Sequence, residues 1–267
     1  MHAPLAPHEH DLAAAVRDAA LEAGALALPY FRQGTQTAAR LWYKERSSPV
    51  TEADIALDSF LKERLTGLLP DAGWLSEETA DDPARLDRSW VWIVDPIDGT
   101  RAFATGHPDW SISIALVRDG RPVLGVVHAP VHGRTYEAGL SRGAFCNGER
   151  MALPAAPSRQ PLRAAGPKPL LDRVERRLGT LERLPKVPSL ALRLVRVAEA
   201  VIDVGLVSAN AADWDIAAAD LILSEAGGAL TDLSGNPPPY NRPHPCHGEM
   251  IAAATWLHPR AVGAMRT

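Results

Sequence analysis

The sequence predicts an α/β protein whose N-terminal sheet is largely antiparallel, and three observations carry that prediction. Two segments before residue 70 repeat apolar residues at helical spacing. Residues 90–151 break into short apolar or alternating runs punctuated by glycine, and residues 170–254 alternate helical with strand-like patterns.

Asp11 to Phe31 places Leu12, Val16, Ala19, Ala20, Ala23, Leu26 and Ala27 on one helical stripe, which Pro29 and Gly34 end. Thr51-Glu52-Ala53-Asp54 opens a second helix with a capping-box pattern, continued by Leu57, Phe60, Leu61, Leu65 and Leu68 and closed by Pro70. Between Asp71 and Asp87 six acids stand against one base, Arg85, which reads as a solvated loop, and Asp81, Asp82 and Asp87 ask for nothing more. Trp90-Val91-Trp92-Ile93-Val94 has the nearly continuous apolar character of a buried strand, expected to stop at Asp95-Pro96. Trp110, Ile112, Ile114 and Leu116 then alternate with Ser111, Ser113 and Ala115. Val123–His128, Arg134–Ala138 and Ala144–Met151 follow as short strands separated by glycines, an antiparallel meander.

Prolines at 154, 157, 161, 167 and 169 are too dense for the interior of an element. They place a boundary between an N-terminal subdomain, residues 1–153, and a C-terminal one, residues 154–267. Beyond it the pattern predicts helices around Leu170–Leu184 and Ser189–Ala200, a strand at Ile202–Val207 and a helix from Trp214 to Ala226 stopped by Gly227-Gly228. Strands near Ala229–Asp232 and Met250–Ala254 and a short terminal helix complete the chain.

Composition narrows the function classes. The 267 residues are 46% hydrophobic and 22% charged, with 28 Lys+Arg against 32 Asp+Glu and a formal net charge of -4. Acids and bases are interspersed, so no basic footprint for nucleic acid or an anionic membrane exists. Cys146 and Cys246 stand a hundred residues apart, neither a disulfide framework nor a zinc pattern, and suit a reducing compartment. Met1 to His10 lacks the cationic start and apolar stretch of a secretory signal, and no apolar run approaches the ~18–20 residues needed to span a bilayer. The expectation is a cytoplasmic protein. His128, His132, His244, His247 and His258 have no metalloprotease spacing, sit within two residues of Pro or Gly, and read as surface or loop histidines.

The chemistry concentrates in Ile93-Val94-Asp95-Pro96-Ile97-Asp98-Gly99-Thr100. Two acids fanned out past a buried strand suit hard divalent cations, which take oxygen ligands. Pro96 stiffens the turn and leaves the Ile97 carbonyl free as a further oxygen, while Gly99 lets backbone amides approach a phosphate if a helix starts at Thr100. An Asp-Pro turn with solvated acids is the competing local reading. Glu77, Asp215 and Asp54 have ordinary readings as well: a loop acid, an acid favoured by a helix N-terminus, and a capping-box residue.

Taken together, these segments resemble the inositol monophosphatase superfamily of magnesium-dependent, lithium-sensitive phosphatases. The resemblance rests on Val50-Thr51-Glu52-Ala53-Asp54, Ser76-Glu77-Glu78, the run Trp92 to Phe103, and Trp214-Asp215-Ile216-Ala217-Ala218-Ala219 through Glu225-Ala226-Gly227-Gly228. It implies a layered αβαβα fold. It further implies that Glu77, Asp95, Asp98, Asp215 and the Ile97 carbonyl hold two or three Mg2+ ions, and that Asp54 and Thr100, with Glu77, complete the catalytic set by orienting the attacking water. Gly99, Thr100 and Arg101 are then the phosphate- and substrate-binding candidates, and no phosphoenzyme is formed.

A dehalogenase-type phosphatase would place its two acids two residues apart, whereas Asp95 and Asp98 are three apart. A non-catalytic phosphate binder would lack one of the metal acids, and none is missing. In inositol-specific members a Glu seven residues before the second-signature Asp contacts the sugar; here that position is Ser208. The segments 99–103 and 108–112 look more like the 3′(2′),5′-bisphosphate nucleotidase branch, and also like histidinol-phosphate phosphatases, although Ala191 stands where some nucleotidases have Lys. The expected partner is a small phosphorylated metabolite, with no nucleic-acid polymer, no membrane, and a homodimer left open.

Overall fold

The computed structural model describes residues 8–43, 49–156 and 159–266. Residues 1–7 of the N-terminal reading, and Pro157 of the proline-rich stretch, lie outside them.

Five layers stack in the order helix pair, sheet, helix pair, sheet, helix pair. The first pair is α1 (His8–Ala27) and α2 (Glu52–Leu68), and between them in the chain β1 (Leu41–Tyr43) pairs antiparallel with β2 (Pro49–Thr51). Val16, Ala19, Ala20, Ala23 and Ala27 of α1 meet Leu57, Leu61 and Leu65 of α2, whereas Leu26, expected on the stripe, is exposed.

This pair covers a seven-stranded sheet ordered β3-β4-β5-β6-β7-β8-β9. Its strands are β3 (Gly73–Ser76), β4 (Trp90–Asp98), β5 (Ser111–Arg118), β6 (Arg121–Ala129), β7 (Arg134–Gly139), β8 (Gly143–Cys146) and β9 (Glu149–Met151). From β4 to β9 every neighbour is antiparallel, as the meander predicts, and only β3 runs parallel to β4. Strand β4 reads as continuously apolar because it is covered twice: Trp92 and Val94 face the first helix pair, Val91 and Ile93 the second.

The second pair, α5 (Leu190–Ala198) and α6 (Asp213–Glu225), is sandwiched between the sheets. Gly125 lets α6 lie close against β6, since a Cβ there would stand 2.7 Å from the Ala218 carbonyl oxygen. The five-stranded sheet, ordered β11-β10-β12-β14-β13, comprises β10 (Leu162–Ala165), β11 (Leu181–Arg183), β12 (Val204–Val207), β13 (Gly228–Asp232) and β14 (Met250–Ala254). Its outer face is covered by α4 (Lys168–Leu178) and α7 (His258–Met265). A short α3 (Thr100–Thr105) follows β4.

Three expectations need correction. The acidic stretch 71–87 contains strand β3, whose Leu75 is core, and Arg85 is buried with its guanidinium forked onto Asp81, so Asp81 is a salt-bridge partner rather than a merely solvated acid. The strand beginning at Trp90 continues through Pro96 to Asp98. The helix expected over Leu170–Leu184 ends at Leu178, because Gly179 leaves the helical region at φ 89° and residues 181–183 join the sheet.

Candidate active site

Four elements deliver acids to one place: the end of β4 (Asp95, Asp98), the loop after β3 (Glu77), the first turn of α2 (Asp54) and the first turn of α6 (Asp215). In a regular strand residues three apart point to opposite faces. Asp95 pairs with Ser113 and Asp98 with Ser111, three steps on β4 against two on β5, and this bulge is what lets both acids turn the same way. Pro96 sits inside the irregularity, where a missing amide costs no ladder bond. Carboxylate oxygens of Asp95, Asp98 and Asp215 lie within 4.8 Å of one another.

Crowding and burial both disfavour charge here. Burial, then Glu77, Asp98, Asp215 and Asp54, push the Asp95 carboxyl well above the ordinary range. Burial and Asp98 raise Asp215 to about 7. Asp98 is also raised by burial, against hydrogen bonds from the Ser189 hydroxyl (2.5 Å) and the Ala191 (2.7 Å) and Leu190 (3.1 Å) amides at the start of α5. An all-oxygen set of mutually repelling carboxylates fits hard divalent cations and gives no softer ligand that would favour zinc.

Asp54 does two things at once. Its Oδ2 accepts from the Thr51 amide (2.8 Å) and hydroxyl (2.5 Å), closing the capping box. Its Oδ1 lies 3.1 Å from Thr100 Oγ1, and burial holds the carboxyl above the usual range. Thr100 Oγ1 is equally 3.1 Å from the Ile97 carbonyl oxygen, so that carbonyl is not bare as expected but keeps one lone pair for another partner. Gly99, at φ 95°, caps α3, and its missing Cβ lets Asp109 and Ser189 backbone atoms pack against it.

Glu77, Asp95, Asp98, Gly99, Thr100, Arg101 and Asp215 thus line one cavity of about 260 Å³, together with Lys186. A second cavity of about 690 Å³ shares Asp98, Asp215 and Lys186 with it and adds Lys168, Arg193 and Ser208. Arg101 does not line this larger chamber. Ser189 and Lys186 escaped the sequence reading. Ser189 is readable as a helix cap, but nothing local links it to an acid 91 positions away.

Three of the five histidines depart from expectation. His128, His247 and His258 are buried, bonded to Thr135 (2.9 Å), Asp213 (2.7 Å) and Thr231 (3.1 Å) respectively. His132 and His244 are exposed, as expected, and His132 lies against Asp109 at 2.8 Å.

A model of the Inositol monophosphatase family matches residues 8–266. The chain belongs to that family. The family's members hydrolyse phosphomonoesters with the help of metal ions, and this chain is accordingly a phosphatase. It is 35% identical over 208 residues to the 3′(2′),5′-bisphosphate nucleotidase CysQ of Aggregatibacter actinomycetemcomitans, covering 74% of this chain and 77% of that one. It is 34% identical over 232 residues to the histidinol-phosphatase of Mycobacterium tuberculosis, covering 82% and 85%. The crystal structure of the extragenic suppressor protein suhB from Bartonella henselae superposes with a TM-score of 0.81 at 25% identity, over 96% of this chain and 99% of that one. No helix among the described residues is long and apolar enough to cross a membrane.

Proposed function

We propose that the protein is a Mg2+-dependent phosphatase of small bisphosphorylated metabolites, acting as a 3′(2′),5′-bisphosphate nucleotidase acts. Glu77, Asp95, Asp98, Asp215 and the Ile97 carbonyl would hold the ions. When bound, the ions neutralise phosphate charge, make water more acidic and stabilise the leaving oxygen. The chain's own residues supply position. The Thr100 hydroxyl, braced by Asp54, orients the attacking water, and the Gly99 and Thr100 amides at the start of α3 receive phosphate oxygens. Arg101 borders the reaction chamber, where it can meet the transferred phosphate. Two subdomains, 1–153 and 154–267, would meet at this site, a division supported by the seven-stranded sheet closing at Met151 and the other opening at Leu162. Two cysteines without a framework pattern support a cytoplasmic location.

The observation that carries the substrate choice is the charge of the larger chamber. Among the described residues its cations are Lys168, Lys186 and Arg193, and its acids are Asp98 and Asp215, which the metal ions would engage. Lys186 makes no hydrogen bond or ion pair among the described residues. A second phosphate is matched by such a lining. Histidinol phosphate would bring its ammonium group to the same lysines, and an inositol ring would find Ser208 where inositol-specific members offer a carboxylate. Phosphate release should therefore be greatest with 3′-phosphoadenosine 5′-phosphate in a panel with inositol 1-phosphate, histidinol phosphate and fructose 1,6-bisphosphate, and should vanish in excess chelator. A charge-assisted bond contributes about 1.5–3 kcal/mol, so Lys186→Ala should raise KM for the bisphosphate roughly tenfold or more and leave adenosine 3′-monophosphate nearly unaffected. Full activity in chelator, or preference for histidinol phosphate, would refute the reading.

A further inference from the structure

Asp58 is buried on α2 one turn after Asp54, on the same face. Its two carboxylate oxygens accept separate hydrogen bonds, one from the Ser76 hydroxyl and one from the Thr79 hydroxyl at 2.5 Å. Those residues bracket Glu77 and Glu78. Ser76 Oγ in turn receives the Glu78 amide at 3.4 Å, and Thr79 Oγ1 receives the Trp74 indole N–H at 3.3 Å. No ion pair reaches Asp58 among the described residues, so a buried carboxylate is held by neutral hydroxyls alone, an arrangement that costs desolvation and that packing by itself does not require.

Its position explains it. Strand β3 is at the edge of its sheet, and at its end Ser76 pairs with Val94 and the Glu77 amide donates to the Val94 carbonyl at 3.3 Å. Asp58 ties the residues that flank Glu77 and Glu78 to α2. One rigid helix thereby sets both Asp54, against Thr100, and the loop that presents Glu77. We infer that Asp58 is a positioning residue for metal binding, holding Glu77 in register with the carboxylates of β4 and α6. This rests on the proposed role of Glu77 as a metal ligand.

The test is Mn2+ binding to the purified full-length protein without substrate, read from free Mn2+ by electron paramagnetic resonance. Loss of an outer partner of a ligand typically weakens metal binding about 10–100-fold, so Asp58→Ala should do so by roughly tenfold. Asp58→Asn, which keeps two hydrogen-bonding atoms, should weaken it less. At saturating Mg2+ the substrate KM of Asp58→Ala should equal that of wild type, and its kcat should recover. If Asp58→Ala does not fold, Thr79→Val removes one of the two bonds from the other side and should weaken binding in the same direction. Binding within twofold of wild type in the folded variants overturns the inference and leaves Asp58 a packing residue. Wild-type protein that binds no Mn2+, or Glu77→Gln that binds as well as wild type, overturns instead the reading of Glu77 on which it stands.

Discussion

Helix α6 carries carboxylates into two different surroundings. At its first turn Asp215 faces Asp95 and Asp98, acid against acid, with Glu77 close to Asp95. On its other side Asp213 accepts from the Asn241 amide at 2.8 Å and pairs with His247 at 2.7 Å, while Asp220 accepts the Tyr240 hydroxyl at 2.8 Å. Arg85 extends that second network, donating to Asn241 Oδ1 at 2.7 Å and to the Arg242 carbonyl at 3.0 Å. The second group is internally satisfied and ties the segment 240–247 to the fold. The first sets acid against acid, and in the proposed reading a cation from outside the chain completes it. Burial of acids alone therefore says little about function; whether the protein itself supplies their counterparts separates a structural cluster from a candidate metal site.

The strongest way to break this contrast is to neutralise each cluster in turn. Asp95→Asn and Asp215→Asn should lower phosphatase activity by about a hundredfold or more, since each removes a ligand charge from the candidate metal site. The same changes should raise the melting temperature of metal-free protein by relieving repulsion. Asp98→Asn should share the activity loss without the gain, because it also removes the acceptor on which the start of α5 rests. A melting temperature that falls in Asp95→Asn would mean the cluster is already compensated.

In the second cluster the consequences reverse. His247→Ala leaves a buried carboxylate short of a partner and should cost about 1–3 kcal/mol of stability in urea unfolding, with Mn2+ affinity within twofold of wild type. Weakened metal binding there would show the two faces of α6 to be one unit.

Proton competition sharpens the difference further. Asp215, raised to about 7, and Asp95, raised well above the ordinary carboxylate range by burial and its acidic neighbours, favour protons in metal-free protein that a bound ion must displace. Half-saturating Mg2+ should therefore fall as pH rises from 6 toward 8, by about tenfold per pH unit for each proton displaced below the relevant pKa. A concentration independent of pH would contradict the protonation of the cluster.

The smallest effect concerns Asp220, whose carboxyl burial lifts from 3.8 to about 7 despite the Tyr240 bond. Below pH 4 it is protonated folded or unfolded and costs nothing. Between pH 4 and 7 the unfolded chain ionises first, so stability is lost as pH rises through that window. Asp220→Asn, which still accepts from Tyr240, should melt a few degrees above wild type at pH 8 and close to it at pH 4. An equal shift at both pH values would assign the effect to packing.

Much of this was legible along the chain. Period and punctuation located α1, α2, the meander and strand β14, because helix and strand spacing are properties of neighbouring residues, and the segments around Asp54, Glu77, Asp95–Phe103 and Asp215 pointed to the family before any geometry was known. The misreadings share one cause. Arg85, His128, His247 and His258 were placed at the surface or in loops by their immediate neighbours, yet Arg85, His128 and His247 find partners on other elements, and His258 lies at the head of a helix bonded to a strand.

The sequence by itself determined which residues could bear metal and phosphate chemistry, and which stretches would be helix or strand, since both follow from residue type and short-range spacing. Tertiary structure alone decided that Asp95 and Asp98 turn the same way, that Ser189 rests on Asp98, that Lys168 and Lys186 share a chamber, and that Asp58 grips the loop of Glu77. Those relations depend on a bulge, on the stacking of five layers, and on contacts between residues 18 to 91 positions apart. Local pattern carries no record of such distances, because it is packing, not propensity, that brings the partners together.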